Sequence, residues 1–219
     1  MILFNGNNYH QYSSASLPNA SVDKTLCMWL NSGDLSGVQG IINAVNLSLG
    51  IGYQLGIRTN QLTVWSYGGA ILLQTAIPVS TWVHVAYVYM GSTHYFYLNG
   101  VQSATSTAAP QSGIVNICQL GGNQWGEYPR NMLVEDVRLY SRALQVSELQ
   151  TIGNSEARDF IIQNLVHWWP MSVLTEGLTL DNAPYAIQEY NGMTSTFINT
   201  ALPYPVAGES VHYQSRHHF

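Results

Sequence analysis

The sequence predicts an all-β protein built from antiparallel strands. Runs rich in β-branched and aromatic residues recur roughly every 8–12 residues, each closed by Gly, Asn, Ser or Pro, which is the rhythm of a sandwich or barrel. Helical periodicity is scarce. Of the 219 residues, 46% are apolar, enough for one large β domain with a sizeable core.

The first strand candidates are Ile2–Phe4 and Tyr9–Tyr12. Thr25–Leu30, Gly40–Val45, Tyr53–Arg58, Leu62–Tyr67 and Ile71–Gln74 follow, punctuated by turn residues. Trp82–Met90 and Tyr95–Leu98 flank the short break Gly91-Ser92-Thr93-His94 and read as a hairpin. In Trp82–Met90, alternation puts Trp82, His84, Ala86 and Val88 on one face and Val83, Val85, Tyr87 and Tyr89 on the other. Both faces are largely apolar, so the strand is expected mid-sheet or against a partner. Val115–Leu120 and Met132–Tyr140 complete the main set.

Two short helices are expected. Ala143-Leu144 leads into Val146-Ser147-Glu148-Leu149, about two turns. The second is Glu156–Ile162, with Asn154 or Ser155 as N-cap and Glu156 at its positive end. Leu165–Pro170 reads as a further strand. From Met171 onward the chain reads as loop, with turn signals at Glu176-Gly177, Asn182-Ala183-Pro184 and Asn191-Gly192, and Ser215–Phe219 reads as a tail.

Charged residues make up only 9% of the chain, against about 25% in an ordinary soluble domain. Such sparse charge, with 14 Tyr and 6 Trp, is the composition that interface cores favour. A neutral surface rich in hydroxyls and amides is the plainer reading. Net charge is −5 and there is no basic patch, which argues against nucleic acid as a partner. No apolar run approaches the roughly 20 residues that span a membrane. Met1–Gly6 has neither a basic n-region nor an h-region, so a strand rather than a signal peptide is expected there. Cys27 and Cys118 sit in apolar strands and are expected as buried free thiols.

Several motifs carry a family resemblance. They are Trp82-Val83-His84-Val85-Ala86, then Tyr97-Leu98-Asn99-Gly100, then Val134-Glu135-Asp136-Val137-Arg138-Leu139-Tyr140-Ser141-Arg142-Ala143-Leu144, with Phe4-Asn5-Gly6-Asn7-Asn8-Tyr9 early on. The chain resembles the laminin-G-like, concanavalin A-like family of jelly-roll sandwiches over roughly residues 1–152. The resemblance implies an antiparallel jelly-roll β-sandwich (residues 1–152) followed by a C-terminal extension (residues 153–219) of short helix, edge strand packing on the sandwich, and tail. Leu165-Val166-His167-Trp168-Trp169-Pro170-Met171, then Thr179-Leu180-Asp181 and Asn191-Gly192, resembles the family's usual opening element, here placed last. That order is similar to laminin-G-like proteins of tailed bacteriophages.

The superfamily includes glucanases, whose E-x-D-x-E strand sets its carboxylates on one face. No such motif occurs. Glu135 and Asp136 are adjacent, and strict alternation would send them to opposite faces, with Asp136 free to ion-pair Arg138 instead. His84 is expected as a core histidine, and His217-His218 lie in the tail. The resemblance raises a rim calcium ion. Asp34 and Glu127 are its weak candidates, with no D-x-D-x-D-G run behind them, so no cofactor is expected.

Glycan binding needs aromatic platforms and amides on loops. Gly121–Tyr128, with Asn123, Gln124, Trp125 and Tyr128, has that composition. Trp65-Ser66-Tyr67-Gly68-Gly69 has it too. Core or interface packing is the expected explanation of such residues in each segment, with glycan binding the lesser reading. The function expected is non-enzymatic: a virion structural protein, a capsid decoration or cement protein of a tailed phage. Its partners would be the major capsid protein or other virion proteins, and it would be a trimer or dimer. The alternative is a glycan-binding adhesin module of a tail fibre or spike, with host glycan as partner.

Overall fold

The computed structural model describes residues 2–4, 9–13, 17–154, 161–169, 188–190 and 196–197. In chain order the strands are β1 (Ile2–Phe4), β2 (Tyr9–Ser13), β3 (Lys24–Ser32), β4 (Gln39–Asn46), β5 (Ile51–Arg58), β6 (Gln61–Ser66), β7 (Ile71–Thr75), β8 (Val83–Met90), β9 (Thr93–Leu98), β10 (Val101–Ser106), β11 (Ile117–Leu120) and β12 (Met132–Tyr140). Helix α1 (Val146–Asn154) follows, then β13 (Leu165–Trp169), β14 (Gln188–Tyr190) and β15 (Thr196–Phe197). They form two antiparallel sheets packed face to face. The first runs β10-β9-β8-β3-β12-β1-β15, with β13 also on β12, and the second runs β14-β2-β11-β4-β5-β6-β7. The all-β sandwich read from the sequence is the fold observed. No helix among the described residues is long and apolar enough to cross a membrane.

Alternation builds the core. Leu26, Met28 and Leu30 of β3 and Val83, Val85 and Tyr87 of β8 meet Tyr53, Leu55 and Ile57 of β5 and Leu62 and Val64 of β6. The opposite face of β3 and β8 is also buried, because α1 lies on it. Leu149 and Ile152 of α1 cover Cys27, Ala86, Val88 and Tyr140. That helix explains why β8 is apolar on both sides. His84 shares this outer face, beside the Trp29 ring (5.6 Å) and Gly153 of α1. Glu148 anchors the helix start, accepting from Gln145 N (2.8 Å) and from both Arg142 Nη atoms (2.8 and 2.6 Å), a capping-box arrangement.

Turns follow residue chemistry. Asn99 (φ 50°) and Gly100 (φ 74°) make the two-residue hairpin turn for which Asn-Gly is suited. Asn99 Oδ1 accepts from His84 N (2.9 Å), tying the turn to β8.

Four expectations are corrected or fall elsewhere. First, strict alternation fails at Glu135-Asp136. Register shifts between Glu135, opposite Trp29, and Arg138, opposite Cys27. Two residues, Asp136 and Val137, thus oppose Met28 alone, and Asp136 sits at φ 52°, a β-bulge. The bulge keeps Val137 in the core while Asp136 meets Arg138 Nε (3.0 Å) and Trp168 Nε1 (2.7 Å). Second, β10 escapes the sequence reading because this edge strand is mostly exposed and shows no apolar alternation. Third, the region read as loop after Met171 contains β14 and β15, short strands recognisable only by their pairing with β2 and β1. Fourth, the helix expected over Glu156–Ile162 lies almost wholly outside the described residues, and Ile161 and Ile162 are not helical. Cys27 and Cys118 belong to different sheets and are buried thiols not joined by a disulfide; burial pushes the Cys27 pKa up to about 12.

Candidate functional site

The outer face of the second sheet is not apolar. Alternation that sends Ala44, Leu55, Val64 and Cys118 inward sends Asn43, Gln54, Trp65 and Gln119 outward. Register sets these side by side. Gln11 faces Gln119, Gln119 faces Asn43, Asn43 faces Gln54, and Gln54 faces Trp65. Four amides and an indole therefore form one row across five strands. A buried amide row is costly unless its donors and acceptors are matched.

The segment after β11 supplies partners. Gly121 (φ 81°) and Gly122 (φ 130°) turn the chain back over the row, in conformations that favour glycine. Asn43 Nδ2 donates to Gly122 O (2.9 Å). Gln119 Nε2 donates to Gln11 Oε1 (2.9 Å) and to Gln124 Oε1. Asn123 is fully buried at the centre. Its Nδ2 donates to Gln54 Oε1 (3.3 Å) and Glu127 Oε2 (2.6 Å), and its Oδ1 accepts from Trp125 N (3.0 Å) and Glu127 N (3.3 Å). Gly40 N then holds Glu127 O (2.7 Å).

With the loop so held, Trp125 projects beside the β6–β7 turn. Its ring meets Tyr67 edge-on at 5.3 Å and an interplanar angle of 79°, yet the residue is 46% exposed. Between the loop and the turn lies a cleft of about 250 Å³ lined by Gln54, Arg58, Trp65, Tyr67, Gly68, Gly69, Trp125 and Glu127. Trp65 lies across Gly56, where a Cβ would come within 3.0 Å of the indole. The Arg58 guanidinium sits 6.0 Å from the Trp65 ring and donates to Gly69 O (2.7 Å).

The two segments weighed separately in the sequence, 65–69 and 121–128, are thus opposite walls of one cleft. Trp125 is on its rim. Asn123 is beneath the loop and holds it, while Gln124 is exposed and tied to Gln119. Tyr128 is half-buried and stacks on Tyr9 (6.5 Å) rather than lining the cleft. Sequence reasoning missed Arg58 and Gln54. Gln54 carried a usable signal, being polar between inward Tyr53 and Leu55; Arg58 carried none beyond its place at a strand end. Asp34 is engaged by Arg130 Nε (3.1 Å) and Ser36 N (2.7 Å), and these hydrogen bonds lower its carboxyl pKa, those from Ser36 first. Among the described residues no three His, Cys, Asp or Glu side chains converge as a metal would require.

Residues 4–150 match the family model described as the concanavalin A-like lectin/glucanases superfamily. The chain belongs to this superfamily. The match runs from β1 into α1 and contains both walls of the cleft. Solved structures share the fold. A heptameric SAP-like pentraxin from Limulus polyphemus is 13% identical, with 90% of this chain and 94% of that one covered at a TM-score of 0.60. A "putative carbohydrate binding protein" from Bacteroides ovatus is 19% identical, with 91% of this chain covered at a TM-score of 0.61; the chain spans 60% of that protein. No curated protein matches this superfamily member.

Proposed function

We propose that the protein is a carbohydrate-binding β-sandwich module whose ligand occupies the cleft between Trp125 and Tyr67. The observation that carries this reading is the convergence of two distant aromatic segments on one concave site. An indole left 46% exposed beside a second aromatic ring is a platform for the C–H face of a sugar. Gln54, Arg58 and Glu127 around it offer donors and acceptors for hydroxyls. The superfamily and the Bacteroides protein, named for carbohydrate binding, support the same reading. Glu127 is the one carboxylate among the described lining residues, whereas glycoside hydrolysis uses two. The module is therefore read as binding sugar without cleaving it.

Glycan-array binding by the whole chain, with Trp125→Ala alongside, tests this. We expect bound glycans whose affinity falls about tenfold or more in the variant, the loss of one stacked aromatic contact. Trp125 is exposed, so thermal stability should stay near wild type. Undiminished binding by Trp125→Ala would place the site elsewhere.

The capsid-cement reading, with major capsid protein as partner, rests on the 9% charge content and the order of the family elements. It calls for a broad docking face, and the cleft gives it no support. Copy number in purified particles tests it: hundreds per particle would restore it.

A further inference from the structure

The cationic residues divide sharply. Among the described residues, Arg130 pairs with Asp34, Arg138 with Asp136 and Arg142 with Glu148. Lys24 is buried, its ammonium donating to the carbonyls of Asn19, Ala20 and Val22 (2.9, 2.7 and 2.7 Å). Arg58 alone of the described arginines has no carboxylate partner among the described residues, and it alone lines the cleft. Its hydrogen bond to Gly69 O uses one of five N–H donors. Gly69 (φ 90°) leaves the guanidinium room, since a Cβ there would come within 3.1 Å of Nη1. Trp65 and the turn thus hold a planar cation at the wall without neutralising it.

Resting on the glycan-binding reading of the cleft, we infer that its ligand is an acidic sugar of the uronic-acid type. Arg58 takes the carboxylate and Trp125 stacks the ring. A planar guanidinium fork matches a carboxylate in two parallel hydrogen bonds, which a hydroxyl cannot reproduce. The hydrogen bond from Asn123 Nδ2 to Glu127 Oε2 (2.6 Å) comes from a neutral amide and fixes the orientation of that carboxylate, so the ligand carboxylate is taken on the Arg58 side of the cleft. Glu127 is an acceptor for sugar hydroxyls.

The test uses the whole chain and matched pairs of oligosaccharides by titration calorimetry at low salt. The pairs are oligogalacturonate with its methyl ester, glucuronan with cello-oligosaccharides, and mannuronate with manno-oligosaccharides; dextran sulfate, which carries sulfate and no carboxylate, serves as the sulfated arm. At least one acidic member should bind about ten- to hundredfold tighter than its neutral partner, the range for one charge-assisted interaction. The preference should shrink with added salt. Arg58→Gln should abolish the preference, bringing the acidic member to the affinity of its neutral partner measured on the same variant, and Arg58→Lys should keep part of it. Equal binding of acidic and neutral members overturns the acidic-sugar inference and leaves the glycan module standing. A preference for dextran sulfate over every carboxylate sugar also overturns it. Failure to bind any member, on this panel and on a broad array, overturns both.

Discussion

Replacing Asn123 with alanine should loosen the cleft without touching its exposed surface. Among the described residues the side chain has hydrogen bonds to Gln54, Glu127 (twice) and Trp125 N, two of them long at 3.3 Å. At about 1 kcal/mol net for each good bond and less for the long ones, the loss is about 2–3 kcal/mol. For a domain of this size that is a melting-temperature drop of about 5–10 °C if the loop and sheet unfold together. Should the loop undock alone, Tm moves less and amide exchange at Trp125 and Glu127 rises instead. In either case glycan affinity should fall about tenfold or more, because the loop must then be ordered on binding. Asn123→Asp separates the two halves of the amide. It keeps the acceptor for Trp125 N and Glu127 N but sets a carboxylate against Glu127 Oε2. A neighbouring carboxylate raises the pKa of the introduced Asp carboxyl in the folded state. Its stability is therefore retained at low pH and lost as pH rises through the raised value, so Asn123→Asp should sit closer to wild type near pH 4 than near pH 8. Calorimetric melts, exchange by mass spectrometry and titration with a bound glycan read these effects. An Asn123→Ala protein with unchanged Tm, exchange and affinity would refute the claim that Asn123 holds the loop.

Gly121→Ala should destabilise by about 2–4 kcal/mol, because φ 81° disfavours a side chain and the new methyl would overlap the buried Phe4 ring; urea denaturation checks this, and a loss under about 0.5 kcal/mol contradicts it. His94 is buried between Tyr87 OH (2.9 Å) and Ala108 O (2.8 Å), and burial lowers its pKa, so the neutral ring is the native form. Its contribution is whole above the unfolded value of about 6.5 and declines as pH falls below it. Denaturant midpoints from pH 8 to 5 should show that decline, and His94→Gln should flatten it.

Much of the fold was legible because its signals are local. The hairpin break after Met90, read over Gly91–His94 and confined to Gly91-Ser92 in the structure, and the two faces of β8 can be read from neighbours in sequence. What escaped depends on partners far along the chain. β10 has almost no buried face to betray it, and β14 and β15 are strands only because β2 and β1 lie beside them. The bulge at Asp136 shows the limit of alternation. One extra residue between Glu135 and Arg138 shifts which side each carboxylate takes, and no local rule announces it.

The candidate site divides in the same way. Composition alone marked Trp125 and Tyr128 in one segment and Trp65 and Tyr67 in another, and for both it favoured core or interface packing. Sequence by itself determined the sandwich, its superfamily motifs and the scarcity of charge, because side-chain period and turn chemistry act over a few residues. Only tertiary structure decided that β5, β6 and the loop after β11 meet, that Asn123 points inward as a strut while Trp125 points outward, and that Arg58 stands in the cleft without a carboxylate partner among the described residues. The physical reason is register: sheet pairing lines up Gln119, Asn43, Gln54 and Trp65 from four strands, and that alignment exists only once the long-range hydrogen bonds have formed.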